Sequence, residues 1–103
     1  MRRWTLRDRL HNDIYLTDER WVHILARHDE LKGRLDNVLD TLRYGQRWQE
    51  PLDPQKYRYY RAYTNLEYGF NHIVVLVVFR YNDVGDSNNF VVTAWGAYIH
   101  SKG

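Results

Sequence analysis

The side chains best placed to do chemistry in this chain are His23 and His28, the arginines and tyrosines between Tyr57 and Tyr63, and Thr93. An imidazole titrates near neutrality, so either histidine can take or give a proton at working pH. Five residues apart, the two stand about 140° from each other around a helix and cannot chelate one metal ion as an i, i+4 pair does. A helical zinc site is therefore not expected. Periodicity gives the two histidines different surroundings. His28 falls among Trp21, Ile24, Leu25 and Leu31, where it is either a core histidine donating to a carbonyl or a catalytic group, while His23 projects with Arg27 and Glu30 to the polar side.

Arg58 and Arg61 interleave with Tyr57, Tyr59, Tyr60 and Tyr63. Guanidinium forks beside flat aromatic faces are how single-stranded nucleic acid is commonly gripped, and the same composition also makes a plain tyrosine-rich strand with arginines stacked for solubility. Thr93 sits in phase with Val91 and Trp95, where a β-branched residue needs no functional reason.

The chain has no cysteine, which excludes disulfides, thiolate metal sites and cysteine nucleophiles. It also lacks a phosphate-binding Walker loop, a dinucleotide fingerprint, a His-Glu-x-x-His helix and a calcium loop. The net charge is only +2, but twelve of the fifteen cations are arginines, whose planar fork suits phosphate. The longest apolar run, Ile73 to Phe79, falls well short of the roughly 20 residues of a membrane-spanning helix, and no signal-type apolar stretch follows the N-terminal arginines. A soluble, cytoplasmic protein that makes no membrane contact is expected.

Positioning these residues falls to a single domain over residues 1–103, a length that supports one core. Residues 1–13, with Arg2, Arg3, Arg7 and Arg9 around Trp4, Leu6 and Leu10, form a basic arm or an edge strand. Thr17, Asp18 and Glu19 start a helix that runs to about Leu31, with Leu16 stapled to Trp21. After Gly33, Leu35, Val38, Leu39 and Leu42 recur at helical spacing up to the stop at Tyr44-Gly45. Trp48 to Leu52 suggests a short strand closed by Pro51 and Pro54. From Lys56 the period becomes two, with Tyr57, Tyr59, Arg61 and Tyr63 on one face and Arg58, Tyr60 and Ala62 on the other. His72 to Tyr81 reads as a central strand and Phe90 to Trp95 as the last one, reaching toward Ile99. The expected fold class is α+β, two N-terminal helices packed on one face of a three- to four-stranded antiparallel sheet, leaving the other face partly free.

The segment Arg20-Trp21-Val22-His23-Ile24-Leu25-Ala26-Arg27-His28-Asp29-Glu30-Leu31, followed by Tyr59-Tyr60-Arg61 and by Phe90-Val91-Val92-Thr93-Ala94-Trp95, resembles small phage- and prophage-type nucleases of the barnase, EndoU, colicin and RelE-like fold. That family has the pattern Trp-x-His-Ile-x-x-Arg-His-Pro-Glu-Leu, a Tyr-Tyr-Arg strand and a Val-x-Thr-Ala-aromatic strand; here Asp29 stands for the proline, adding a carboxylate next to His28, and Trp95 for the usual tyrosine. The resemblance implies a metal-independent, toxin-like ribonuclease that needs no cofactor, because the 2′-hydroxyl of RNA attacks the adjacent phosphate, and that is commonly held in check by an inhibitory partner protein. By position, His28 and His23 would move protons, Arg61 would hold phosphate and Thr93 would donate a hydrogen bond to it. Arg58, Tyr60, Arg27 and Tyr98 would bind RNA, Tyr60 or Tyr98 by stacking a base or relaying a proton. Two other readings compete: a non-catalytic RNA- or protein-binding module using the same Arg/Tyr face, and a partner protein whose sheet edge dimerises through Trp4, Trp48 and Trp95. Monomer and homodimer both remain open.

Overall fold

In the computed structural model, which describes residues 2–100, the chain begins in a strand, because apolar Trp4 and Leu6 alternate with Arg3, Thr5 and Arg7. This strand, β1 (Arg3–Arg7), pairs antiparallel with β2 (Asp13–Thr17), Trp4 facing Leu16 and Leu6 facing Ile14. The edge-strand alternative for the N-terminal segment is the one adopted; Met1 lies outside the described residues.

Helix α1 (Asp18–Arg27) starts as its cap chemistry dictates. Thr17 Oγ1 accepts the Arg20 N–H at 3.1 Å, and Asp18 and Glu19 fill the first turn. The helix stops four residues earlier than periodicity suggests. His28 leaves it at φ −132°, ψ 72°, and Asp29–Leu31 tighten into a 3-10 turn that delivers Leu31 to the core. Helix α2 (Leu35–Tyr44) has the expected bounds and buries Val38, Leu39, Thr41 and Leu42.

Gly45 ends α2 with φ −70°, so a left-handed turn is not what requires glycine here. Close approach is: a Cβ would collide with the Thr41 carbonyl oxygen and lie 2.7 Å from that of Tyr60. Gly45→Ala is expected to cost about 3 kcal/mol, the upper range for overpacking against atoms that cannot move aside. A urea unfolding curve with a lower midpoint and unchanged slope would register it.

The remaining strands are β3 (Gln46–Gln49), β4 (Lys56–Ala62), β5 (His72–Val78) and β6 (Asn89–Ala97), and the sheet order is β1-β2-β6-β5-β4-β3. The class is α+β with two helices on one face, but the sheet has six strands instead of three or four and is mixed. A hairpin precedes the helices, and β2 runs parallel to β6 through Ile14↔Asn89 and Tyr15↔Phe90. The second strand escapes a sequence reading because its five residues run directly into the helix cap. Leu16 looks like a helix staple there, whereas it and Ile14 are core residues.

The faces of the central strands follow from burial. Ile73, Val75 and Val77 of β5 have no exposure and look onto the helices together with their partners Tyr59 and Ala94. Burying each such aliphatic side chain contributes about 1.5–3 kcal/mol. Helix α1 packs on β2 and β6, and α2 on β1, β4 and β5. Strands β1 and β4 stand four positions apart in the sheet, so the sheet must curl around α2.

A buried carboxylate locks that curl. Asp8, at the β1–β2 turn, accepts hydrogen bonds from the Tyr59 hydroxyl, from the Leu10 N–H at 2.9 Å, and from the Asn12 N–H at 2.8 Å and side-chain amide at 3.0 Å. Burial pushes this carboxyl up, but the four donors outweigh it and hold the group below its ordinary value. Burial, then the Asp8 bond, pushes the Tyr59 hydroxyl the other way, well above its ordinary value. Among the described residues no helix is long and apolar enough to cross a membrane.

Candidate active site

The parallel pairing of β2 with β6 ends at Phe90, because the chain turns from β2 into α1. Beyond that point the edge of β6 is flanked by the polar side of α1. At this edge Leu76 pairs with Thr93 and Val77 with Val91, so Val92 is the extra residue of a β-bulge. The result is a cleft of about 430 Å³ lined by Arg20, His23, Arg27 and His28 from the α1 side and by Val92 and Thr93 from β6, with Ile24 at its floor. Four of the residues singled out from sequence, His23, His28, Arg27 and Thr93, thus converge, and Arg20 joins them.

The early end of α1 takes His28 out of the core. As the C-cap residue His28 no longer follows helical phase, and its side chain is 32% exposed, enough to meet a solute. Its Nδ1 faces Glu30 Oε2 at 3.5 Å, and the same carboxylate oxygen accepts the Gly96 N–H at 2.8 Å. Glu30 is thereby fixed on the β6 edge and orients the imidazole, leaving Nε2 for a reacting group. Gly96 makes this possible, since a Cβ there would lie 2.5 Å from the Phe70 ring and 3.0 Å from Glu30 Cγ. Asp29, the carboxylate adjacent to His28 in sequence, instead accepts the Tyr68 hydroxyl at 3.0 Å. Sequence periodicity places Glu30 on the solvent side, so its pairing with His28 has no signal in the sequence.

Arg61 is not part of this cleft. It lies on the helix side of β4, opposite Ile73, its guanidinium 5.4 Å from the rings of both Tyr44 and Tyr63 and its Nη1 donating to the Tyr63 hydroxyl at 3.5 Å. There it lines a separate cavity with Arg9, Tyr44 and His72. The His72 ring, pushed below its ordinary pKa by burial, lies 2.7 Å from Asn71 Oδ1. The reason is alternation: Arg61 shares the face of Tyr59, two strands away from β6. Tyr98, beyond the end of β6, is exposed and packs edge-on against His100, and it lines neither cavity.

Arg58 and Tyr60 occupy the opposite, helix-free face. Pairing runs Thr93↔Leu76↔Arg58↔Trp48 across four strands, so Thr93 and Arg58 stand in one row on one face. The next row is Trp95↔Val74↔Tyr60↔Gln46, with the Tyr60 hydroxyl donating to Gln46 Oε1 at 2.9 Å. The Arg58 guanidinium lies 5.8 Å from the Trp48 ring and 5.5 Å from that of Trp95, and it is ion-paired with Glu50. Neither tryptophan belongs to the carried-over motif set as a ligand group; their convergence depends on strand register, which sequence alone does not give.

No protein-family model, curated protein sequence or solved structure matches the chain. Chemically, the α1–β6 cleft offers two imidazoles and two guanidinium groups without an ion-pair partner among the described residues, with Thr93 at its β6 rim. Two imidazoles allow one proton to be taken while another is given, and the arginines provide fixed positive charge for a phosphate. No group of three histidine or carboxylate side chains able to hold a metal ion is found among the described residues.

Proposed function

We propose that this chain is a metal-independent, toxin-like ribonuclease acting in the cytoplasm, with its active site in the cleft between α1 and β6. The observation that carries this reading is the convergence of His23, His28, Arg27, Arg20 and Thr93 at one open cleft. RNA supplies its own nucleophile, so the protein need only remove the 2′-hydroxyl proton, protonate the leaving 5′-oxygen and stabilise charge on the phosphorane. His28, oriented by Glu30, is the better base because its ring is anchored; His23, exposed on the helix, is the acid. Arg27 and Arg20 hold the non-bridging oxygens, and the Thr93 hydroxyl donates to the same centre. Arg61, assigned to phosphate by the resemblance, has no part in this version of the site.

The reading is tested by incubating a mixed RNA panel with the wild-type chain in EDTA and identifying the product ends. Fragments ending in 2′,3′-cyclic phosphate are expected; intact RNA, or cleavage that EDTA abolishes, would contradict it. Glu30→Gln retains an acceptor for Gly96 but loses the charge facing the imidazole. It is expected to lower kcat about fivefold, the equivalent of one hydrogen bond of about 1 kcal/mol, with KM unchanged. Steady-state kinetics on a fluorogenic RNA would show the split.

A second reading, a non-catalytic RNA-binding module, is favoured by a different observation, the stacking of Arg58 between Trp48 and Trp95 on the free face. It predicts RNA binding without any cleavage. An inhibitory partner protein is proposed with the toxin-like reading and would cover the cleft.

A further inference from the structure

The free face of the sheet carries more aromatic surface than a solvated face needs. Trp48 on the edge strand β3 is 50% exposed, although nothing in β3 requires a tryptophan for packing against the helices. Together with Trp95, Tyr60 and Val74 it lines a cavity of about 440 Å³ that Arg58 crosses. The guanidinium is held in place through Nε by Glu50 and lies between the two indoles, and its Nη groups make no hydrogen bond among the described residues. The platform is therefore an organised set of flat apolar faces around one fixed cation with unspent donors.

Its position matters as much as its composition. Thr93 belongs to the row that ends in Arg58 and Trp48, and it also lines the histidine cleft. Two strand spacings separate it from Arg58, about 10 Å. Trp95 follows Thr93 on the same face of β6. A ligand with its phosphate in the cleft thus passes over the free edge of β6 at Thr93 and then meets Trp95, Arg58 and Trp48 on the helix-free face.

We propose that this platform is the track for a single-stranded stretch of RNA adjoining the scissile phosphate, with unpaired bases stacked on Trp95 and Trp48 and a flanking phosphate on the Nη groups of Arg58. The proposal rests on the ribonuclease reading of the cleft. Base stacking on indole is tolerant of sequence because every base has a π-face, so the track sets affinity and strandedness more than sequence preference. A duplex keeps its bases inside the stack and cannot use it. The substrate class follows: unpaired RNA segments, with paired ones excluded.

The test measures binding of a dye-labelled ten-nucleotide single-stranded RNA by fluorescence anisotropy. It uses the His28→Ala chain, so that binding is read without turnover, and adds Trp48→Ala, Trp95→Ala, Trp95→Phe and Arg58→Ala in turn. Trp48→Ala and Trp95→Ala are each expected to weaken binding about 5- to 150-fold, with Trp95→Phe retaining most of the affinity. Because Trp48 is half exposed, its variant keeps the fold even where Trp95→Ala does not. Arg58→Ala should reduce the salt slope by about one unit, and the annealed duplex should bind at least tenfold more weakly than the single strand.

Unchanged affinity in both tryptophan variants, with wild-type cleavage intact, overturns the track and leaves the ribonuclease reading standing. RNA held through the tryptophans by a wild-type chain that never cuts it keeps the track and removes that reading. Failure to bind RNA overturns the track. So does a dimer in sedimentation that Trp48→Ala dissolves, which would make the face a protein interface.

Discussion

His28→Ala is expected to slow RNA cleavage about 10²- to 10⁴-fold, the loss typical of a general acid or base and equivalent to about 3 to 5 kcal/mol of transition-state stabilisation. The side chain is a third exposed and its one polar contact among the described residues is the Glu30 carboxylate at 3.5 Å, so the fold should lose no more than about 0.5 kcal/mol, as for an ordinary surface substitution. Thermal unfolding monitored by circular dichroism separates the two effects. His23→Ala should act on the same step, and the double variant should be little slower than the worse single one, since an acid and a base that work as a unit are not additive. Arg61→Ala provides the contrast: its guanidinium lines a different cavity, so a loss of less than tenfold is expected. An Arg61→Ala defect as large as that of His28→Ala would mean that the resemblance assigns the phosphate site correctly and that the α1–β6 cleft is not where the reaction occurs.

The second large effect concerns stability. Asp8→Ala removes a charged acceptor from four donors and leaves the Tyr59 hydroxyl, on a residue only 1% exposed, without its acceptor. A cost of about 3 kcal/mol is expected, which for a domain of this size lowers Tm by about 12 to 24 °C. Tyr59→Phe leaves Asp8 three donors and should cost about 1 kcal/mol. The pH dependence follows from the two shifts. The Asp8 carboxyl titrates lower in the folded chain than in the unfolded one, so its contribution is present above the unfolded value of about 3.9 and is lost as pH falls through the folded value. Tyr59 titrates higher when folded, so its contribution is present below about pH 10 and is lost as pH rises toward its folded value. Wild-type stability from this pair is therefore level between about pH 5 and 9 and declines on both sides. In Asp8→Ala the acid-side decline should be shallower. Urea midpoints across the pH range would show a slope difference; parallel profiles would mean that Asp8 is not the carboxylate whose protonation loosens the sheet.

The α1 cap at Thr17, the whole of α2, and the alternation that sends Tyr59 and Arg61 to one face and Arg58 and Tyr60 to the other were all legible in the residues, because each depends on local chemistry or on a period. Pairing of strands distant in sequence was not. The parallel contact of β2 with β6 joins residues about 75 positions apart, and nothing in Asp13–Thr17 announces its partner. The site divides the same way. Residue type and resemblance point to His23, Arg27, His28 and Thr93, and the structure brings them to one cleft. The same route points to Arg61, which stands elsewhere, since a motif match carries residue identity and not strand order. Periodicity makes Glu30 a solvated carboxylate; it faces His28 only because α1 breaks at His28 and Gly96 lets the carboxylate reach the β6 edge. From sequence Trp48 and Trp95 are candidates for a dimer edge, and the register sets them around Arg58.

In the proposed reaction the 2′-hydroxyl of RNA is the nucleophile and no metal takes part. This is tested most directly with a DNA oligonucleotide that contains a single ribonucleotide, incubated with the wild-type chain in EDTA. Cleavage only on the 3′ side of that ribonucleotide, leaving a 2′,3′-cyclic phosphate, is the predicted result. Cleavage at deoxynucleotides, 3′-hydroxyl ends, or an intact oligonucleotide alongside intact RNA would contradict it.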